Sequence, residues 1–181
     1  MARRIEYTGP PVLTLEDLAA HFRRDVAELE SETVAEIIIP TVTAQCEAAT
    51  GAAIREAVYE EEWPAGRVMG ALDVGQAKEV LEVRRMDAAD GILPLDLFRL
   101  DIGQRVSHLN LLPGAPRAPL RIRYKAAVDL GAYPSVKTWM LLHAGTLYQQ
   151  RESLITGTIV AELPSKFTGF MLADIELPPR F

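Results

Sequence analysis

A chain of 181 residues with 49% hydrophobic and 24% charged side chains can bury one packed core without disulfides or metal, and is too apolar for a disordered chain. Its formal net charge of −6 lacks the positive footprint that tight binding to a phosphate backbone needs. Its single cysteine, Cys46, excludes an internal disulfide and suits folding in a reducing compartment such as the cytoplasm.

The N-terminal Met-Ala-Arg-Arg leads into no apolar stretch, and no run approaches the roughly 18 apolar residues of a membrane span, so neither secretion nor membrane insertion is expected. Charge is uneven: residues 1–100 hold 10 basic and 19 acidic side chains, residues 101–181 hold 9 and 6.

After Pro10-Pro11, Thr14 with Asp17 three positions on forms a capping-box pattern, and Leu15, Leu18, Ala19 and Phe22 follow at helical spacing. A first helix is predicted over about 15–24. A second is predicted over about 32–50. Val34, Ile37, Ile38, Val42, Cys46 and Ala49 give it a broad apolar surface, Gly51 ends it, and Pro40 predicts a kink near Ile37 to Ile39.

From about 53 to 130 the period shortens. Residues 53–60, 80–84, 97–100 and 120–124 read as strands, with turn chemistry at Gly66, Gly70, Gly91, Pro94, Gly103 and Pro113-Gly114. This is a small antiparallel β unit inserted between helices. Pro134 then opens a third helix over about 135–152. Val136, Trp139, Met140, His143 and Leu147 line one face, and Leu141, Ala144 and Tyr148 make a second, so it is expected between neighbours. The tail from 153 to 181, with Gly157, Pro164, Gly169, Pro178 and Pro179, reads as an extended arm. The whole is an α+β chain: a body over 1–152, with about three helices around the β insertion, and an arm over 153–181.

Two stretches carry a family resemblance. One runs from Leu13-Thr14-Leu15-Glu16-Asp17-Leu18 to Arg24-Asp25 and is followed by Cys46-Glu47-Ala48-Ala49-Thr50-Gly51. The other takes in Ile122-Arg123-Tyr124-Lys125-Ala126, Tyr133-Pro134-Ser135-Val136-Lys137, Leu141-Leu142-His143-Ala144 and Leu147-Tyr148-Gln149-Gln150-Arg151-Glu152. In order and spacing these resemble the head-tail connector (adaptor or head-completion) proteins of phages. Ala127 stands where the family usually has glycine, and Pro40 and the 153–181 tail also depart from its pattern. The resemblance implies a structural virion protein at the neck, assembled in the host cytoplasm. It implies a homo-oligomeric ring, commonly of twelve copies, between the portal protein and the tail terminator or stopper, with a channel through which DNA passes without specific binding. A tail-completion or stopper protein of the same particle is the neighbouring reading, and a small-molecule-binding or enzymatic α+β domain is the one from another class.

No cofactor, metal or catalytic group is assigned. His21, His108 and His143 lack metal-ligand spacing. Ser107-His108, and Ser135 near Asp129, lack a nucleophile elbow, and Asp87 and Asp90 flank a turn. Glu60, Glu61 and Glu62 form either a docking patch or a solvated run. Arg121, Arg123 and Lys125 share one strand face, as inter-subunit or channel charges or as a plain solvent face. Trp139 and Tyr148 are core residues or interface anchors. In the tail, Leu154, Ile155, Ile159, Val160, Phe167, Phe170, Met171, Leu172 and Ile175 are candidates for docking onto the portal or a neighbouring copy, by strand addition.

Overall fold

A computed structural model describes residues 2–88, 91–153 and 165–178. Two compact units are distinguishable: residues 1–10, 51–128 and 175–181 make one, and residues 11–50 and 129–174 make the other. The α+β class read from the sequence is the class observed.

The first unit is β-rich. Strands β1 (Arg3–Tyr7), β2 (Ala57–Trp63), β4 (Ala77–Arg85) and β7 (Leu120–Ala126) form an antiparallel sheet in the order β1-β2-β7-β4. A second antiparallel sheet has the order β3-β6-β5, from Met69–Ala71, His108–Leu111 and Phe98–Asp101. Strand β7 shows why this region folds as it does. Leu120, Ile122, Tyr124 and Ala126 are buried while the residues between them are not, the period of two expected of a sheet with one covered face. Those four join Tyr59, Trp63, Val83, Leu72 and Leu109 in one apolar cluster. At one end of the sheet, Ala57, Ala126 and Ala77 lie side by side in register, all fully buried.

The second unit is helical. Helix α1 (Leu15–Phe22) starts with the capping box expected from sequence: the Asp17 amide donates to Thr14 Oγ1 at 3.2 Å, and the Thr14 amide donates to Asp17 Oδ2 at 3.0 Å. The next helix is continuous but not uniform. It opens as α2 (Ser31–Thr33), widens into a π segment over Val34–Ile38 and resumes as α3 (Ile39–Thr50). The sequence predicts a kink near Ile37 to Ile39; the structure shows instead a π segment over Val34–Ile38, which overlaps that stretch at Ile37 and Ile38. Pro40 has no amide to donate and crowds the carbonyl four residues back. The Ile39 amide accordingly reaches back five residues, to the Val34 carbonyl. Gly51 follows α3 with φ +69°, a conformation that costs glycine little.

Helix α4 (Pro134–Ser153) packs against α1, α3 and α5 (Ser165–Leu172), which accounts for its two apolar faces. Helix α5 corrects the reading of the tail as wholly extended, since 165–172 is helical. A short apolar run has no period of its own to decide between strand and helix. Here packing on α4 decides it, with Ser135 Oγ donating to the Met171 carbonyl at 2.8 Å.

Candidate functional site

The alternation of β2 and β7 sends two sets of charges to opposite sides of the sheet. Cross-strand register pairs Glu60 with Arg123 and Glu62 with Arg121, and the side chains meet. Arg123 Nε donates to Glu60 Oε2 at 2.7 Å, and Arg121 Nη2 donates to Glu62 Oε1 at 2.7 Å. From β1, Arg3 Nη2 reaches Glu60 Oε1 at 3.2 Å, and Lys125 lies 3.8 Å from Glu56. Arg121, Arg123 and Lys125 thus share a face, as the sequence indicates, and on that face each has a carboxylate partner. In this ladder the Arg121–Glu62 pair is about half exposed on both sides and contributes no more than about 1 kcal/mol, whereas Glu60 is buried and depends on its partners.

Glu60 is the hub of this ladder. The hydrogen bond from Arg123 holds its carboxyl below the usual range against an opposing cost of burial, and the charges of Arg123, Arg121 and Arg3 reinforce it. A carboxylate whose pKa is depressed on folding adds stability that is present above its unfolded value, about 4.3, and is lost as pH falls through the folded value. Melting temperature should therefore fall on acidification from pH 6 to pH 3, and Glu60→Gln should make that fall shallower. Calorimetry on both proteins checks this, and identical pH profiles would sink it.

Glu61 does not belong with its neighbours as a docking charge. It is 2% exposed and lies on the core face between Tyr59 and Trp63. Trp63 Nε1 donates to its Oε1 at 2.6 Å, while the Tyr124 hydroxyl and the Asp73 amide donate to its Oε2 at 3.0 Å and 2.8 Å. The Tyr124 oxygen in turn accepts from the Val74 amide at 3.2 Å. This network locks the 72–74 segment onto β2 and β7. Parity reveals it in the sequence: Tyr59, Glu61 and Trp63 share one face of a strand, so a core tyrosine and tryptophan carry the glutamate inward.

The residues weighed for catalysis are otherwise engaged. Ser107 is fully buried and donates to the Ala77 carbonyl at 3.1 Å. Asp129 caps a turn by accepting from the Gly131 amide, and Asp87 is bound by both arms of Arg85. Asp90 lies outside the described residues. His108 sits on β6 opposite Asp101, and His143 stacks on Trp139 with ring centroids 3.6 Å apart. Trp139 and Tyr148 are both buried in this chain. Among the described residues no three His, Cys, Asp or Glu side chains gather as a metal site would require, and no helix is long and apolar enough to cross a membrane. Burial pushes the Cys46 thiol up to about 12.

Of the tail candidates, Leu154, Ile155, Ile159 and Val160 lie outside the described residues. Phe167 is on α5, and its side chain is likewise outside them. Leu172 and Ile175 are buried, whereas Phe170 is 79% exposed and Met171 partly so.

The helical unit carries a feature that the sequence reading missed, a cleft of about 230 Å³ between the end of α1 and α4. Phe22 and Tyr148 stack at its side, 5.0 Å between centroids, and His21, Arg23 and Arg24 line it. Gly145 lines it from α4, where a Cβ would come into ordinary contact with the Phe22 ring at 3.4 Å. The Arg24 guanidinium stands 5.9 Å from the centre of the Tyr148 ring. Elsewhere on the same two helices, Lys137 Nζ donates to Asp17 Oδ1 at 2.7 Å and ties α4 to α1.

No family model matches the sequence, and neither does any curated protein. Solved structures do match. A chain in the virion of a native gene transfer agent particle superposes with a TM-score of 0.72 at 17% identity, covering 99% of this chain and 97% of that one. Chains in two neck structures, of the empty particle computed with C6 symmetry and of the native particle computed with C12 symmetry, give TM-scores of 0.72 and 0.66 at 14% and 16% identity, with the same coverage. At such identities the fold is what is shared, and nearly the whole length of this chain shares it with proteins of the gene transfer agent particle.

Proposed function

We propose that this chain is a structural subunit of the neck of a phage-like particle, a head-tail connector that forms a ring between the portal and the tail. The observation that carries this reading is the fold match over 99% of the chain to structures of a particle neck. Those necks were computed with C6 and C12 symmetry, which supports a ring, with twelve copies as the expected number. The mechanism is assembly, not turnover. A cyclic ring needs two different, complementary surfaces on each copy, and the DNA it surrounds slides through a channel without being gripped.

The sheet face fits such a channel or subunit boundary because its arginines are matched by carboxylates. In the tail, the exposed Phe170 and the adjoining Met171 are the described side chains placed for docking onto the portal or a neighbour.

Cryo-electron microscopy of particles that contain this chain tests the reading. A ring of density fitting this fold at the capsid vertex, directly beneath the portal, is the expected result. Density one layer lower would assign the stopper position instead, and density for the chain away from the neck would overturn the neck role.

A further inference from the structure

The cleft of the helical unit holds two arginines with no carboxylate partner among the described residues. Arg23 and Arg24 are exposed and take part in none of the described ion pairs. This sets them apart from the arginines on the sheet face. Two guanidinium groups beside a stacked Phe22–Tyr148 pair and a histidine make a receptor for carboxylates flanked by apolar groups.

The same unit presents that complement elsewhere. Between α1 and α3, the exposed side chains of Asp25, Glu28, Glu32 and Glu36 form an acidic segment. They too are absent from the described ion pairs, and Val26 and Ile37, 38% and 59% exposed, lie beside them. Buried Leu29 and Val34 anchor this segment, so its course is fixed while its acids stay in solvent.

We propose that the cleft receives the acidic segment 25–36 of a second copy of this chain, head to tail. Cleft and segment are different sets of residues of one chain, so a copy whose segment docks into a neighbour keeps its own cleft free for a third. Such a contact propagates, and it closes into a ring when the rotation allows. Opposite charge steers the encounter and sets its orientation. A phosphate backbone fits worse as the occupant, because the chain's net charge of −6 repels it. The inference rests on the connector reading in that it assigns the contact by which the ring closes.

The test uses the full chain, by sedimentation velocity and native mass spectrometry over a range of concentration and salt. The wild type should self-associate, less as salt rises. Arg23→Glu/Arg24→Glu should weaken association about a hundredfold or more, as like charges brought face to face do, and Glu32→Arg/Glu36→Arg should do the same. Mixing the two variants should restore association, because each then meets a surface of opposite sign. Circular dichroism melts establish that both variants are folded.

Variants that associate like the wild type, a mixture that fails to recover, or a wild type monomeric at every concentration would each overturn the contact. So would loss of binding to duplex DNA with self-association intact. If particles carry the chain in the neck and the arginine variant assembles there unchanged, the contact falls and the connector role stands. If the wild type associates through charge but is absent from particles, the contact stands and the neck role falls.

Discussion

Glu61→Leu should lower the unfolding free energy by about 3–5 kcal/mol, because one substitution orphans two buried donors and a third, part-buried one, and each unsatisfied buried group costs about 1–3 kcal/mol. Leucine matches much of the glutamate stem but accepts nothing from the Trp63 indole, the Tyr124 hydroxyl or the Asp73 amide. Nor can the tyrosine escape by ionising: burial holds its phenol far above the ordinary range, and the charge of Glu61 pushes the same way. Glu61→Gln should fall between, since its amide keeps one accepting oxygen but turns an NH2 toward other donors. Tyr124→Phe removes one donor together with the group that needs it, so combining it with Glu61→Leu should cost less than the sum of the two. Urea unfolding followed by Trp63 fluorescence in a Trp139→Phe background reads all of these. A Glu61→Leu variant as stable as its parent would mean that water reaches this network.

The cost at Glu61 follows from strand parity, and parity also marks how far the sequence could be read. Where a signal is local, it sufficed. Thr14 and Asp17 announce their own capping box, Gly51 its turn, and Pro40 its disturbance of the helix, because each acts on backbone within a few residues. Strand β7 was legible for a similar reason, its five central residues alternating without a break.

Strand β1 was not legible. Arg3-Arg4-Ile5-Glu6-Tyr7 is an edge strand that is mostly exposed, so it has no alternation to show, and only pairing with β2 some fifty positions on makes it a strand. Strands β3 and β6 are three and four residues long, shorter than a periodic window. Helix α5 has the same difficulty, since its state depends on α4. The cleft was hidden for a further reason. His21 to Arg24 and Gly145 to Tyr148 come from helices more than a hundred positions apart, and neither stretch is unusual alone.

The two faces of β7 separate the residues that hold this unit together from the charged face proposed as a channel or subunit boundary, and two neighbouring residues make that separation measurable. Ile122 is fully buried among Tyr59, Trp63, Val83 and Tyr124, so Ile122→Ala should cost about 2–5 kcal/mol, through lost transfer energy and the cavity left behind. One position on, Arg123 lies on the charged face and pairs with Glu60, itself 8% exposed, and Arg123→Ala should cost less, on the order of 1–2 kcal/mol, because Glu60 keeps Arg3 at 3.2 Å. In assembly the order should reverse. Ile122→Ala lowers stability yet leaves the charged face intact, whereas Arg123→Ala leaves Glu60 with Arg3 and the more distant Arg121 and shifts the balance of the whole face toward negative charge. Chemical denaturation of both variants, alongside their incorporation into particles below the melting temperature of Ile122→Ala, separates the two effects. Equal destabilisation by the two substitutions would refute the assignment of faces, because a one-residue slip of register would bring Arg123 inward and turn Ile122 to solvent.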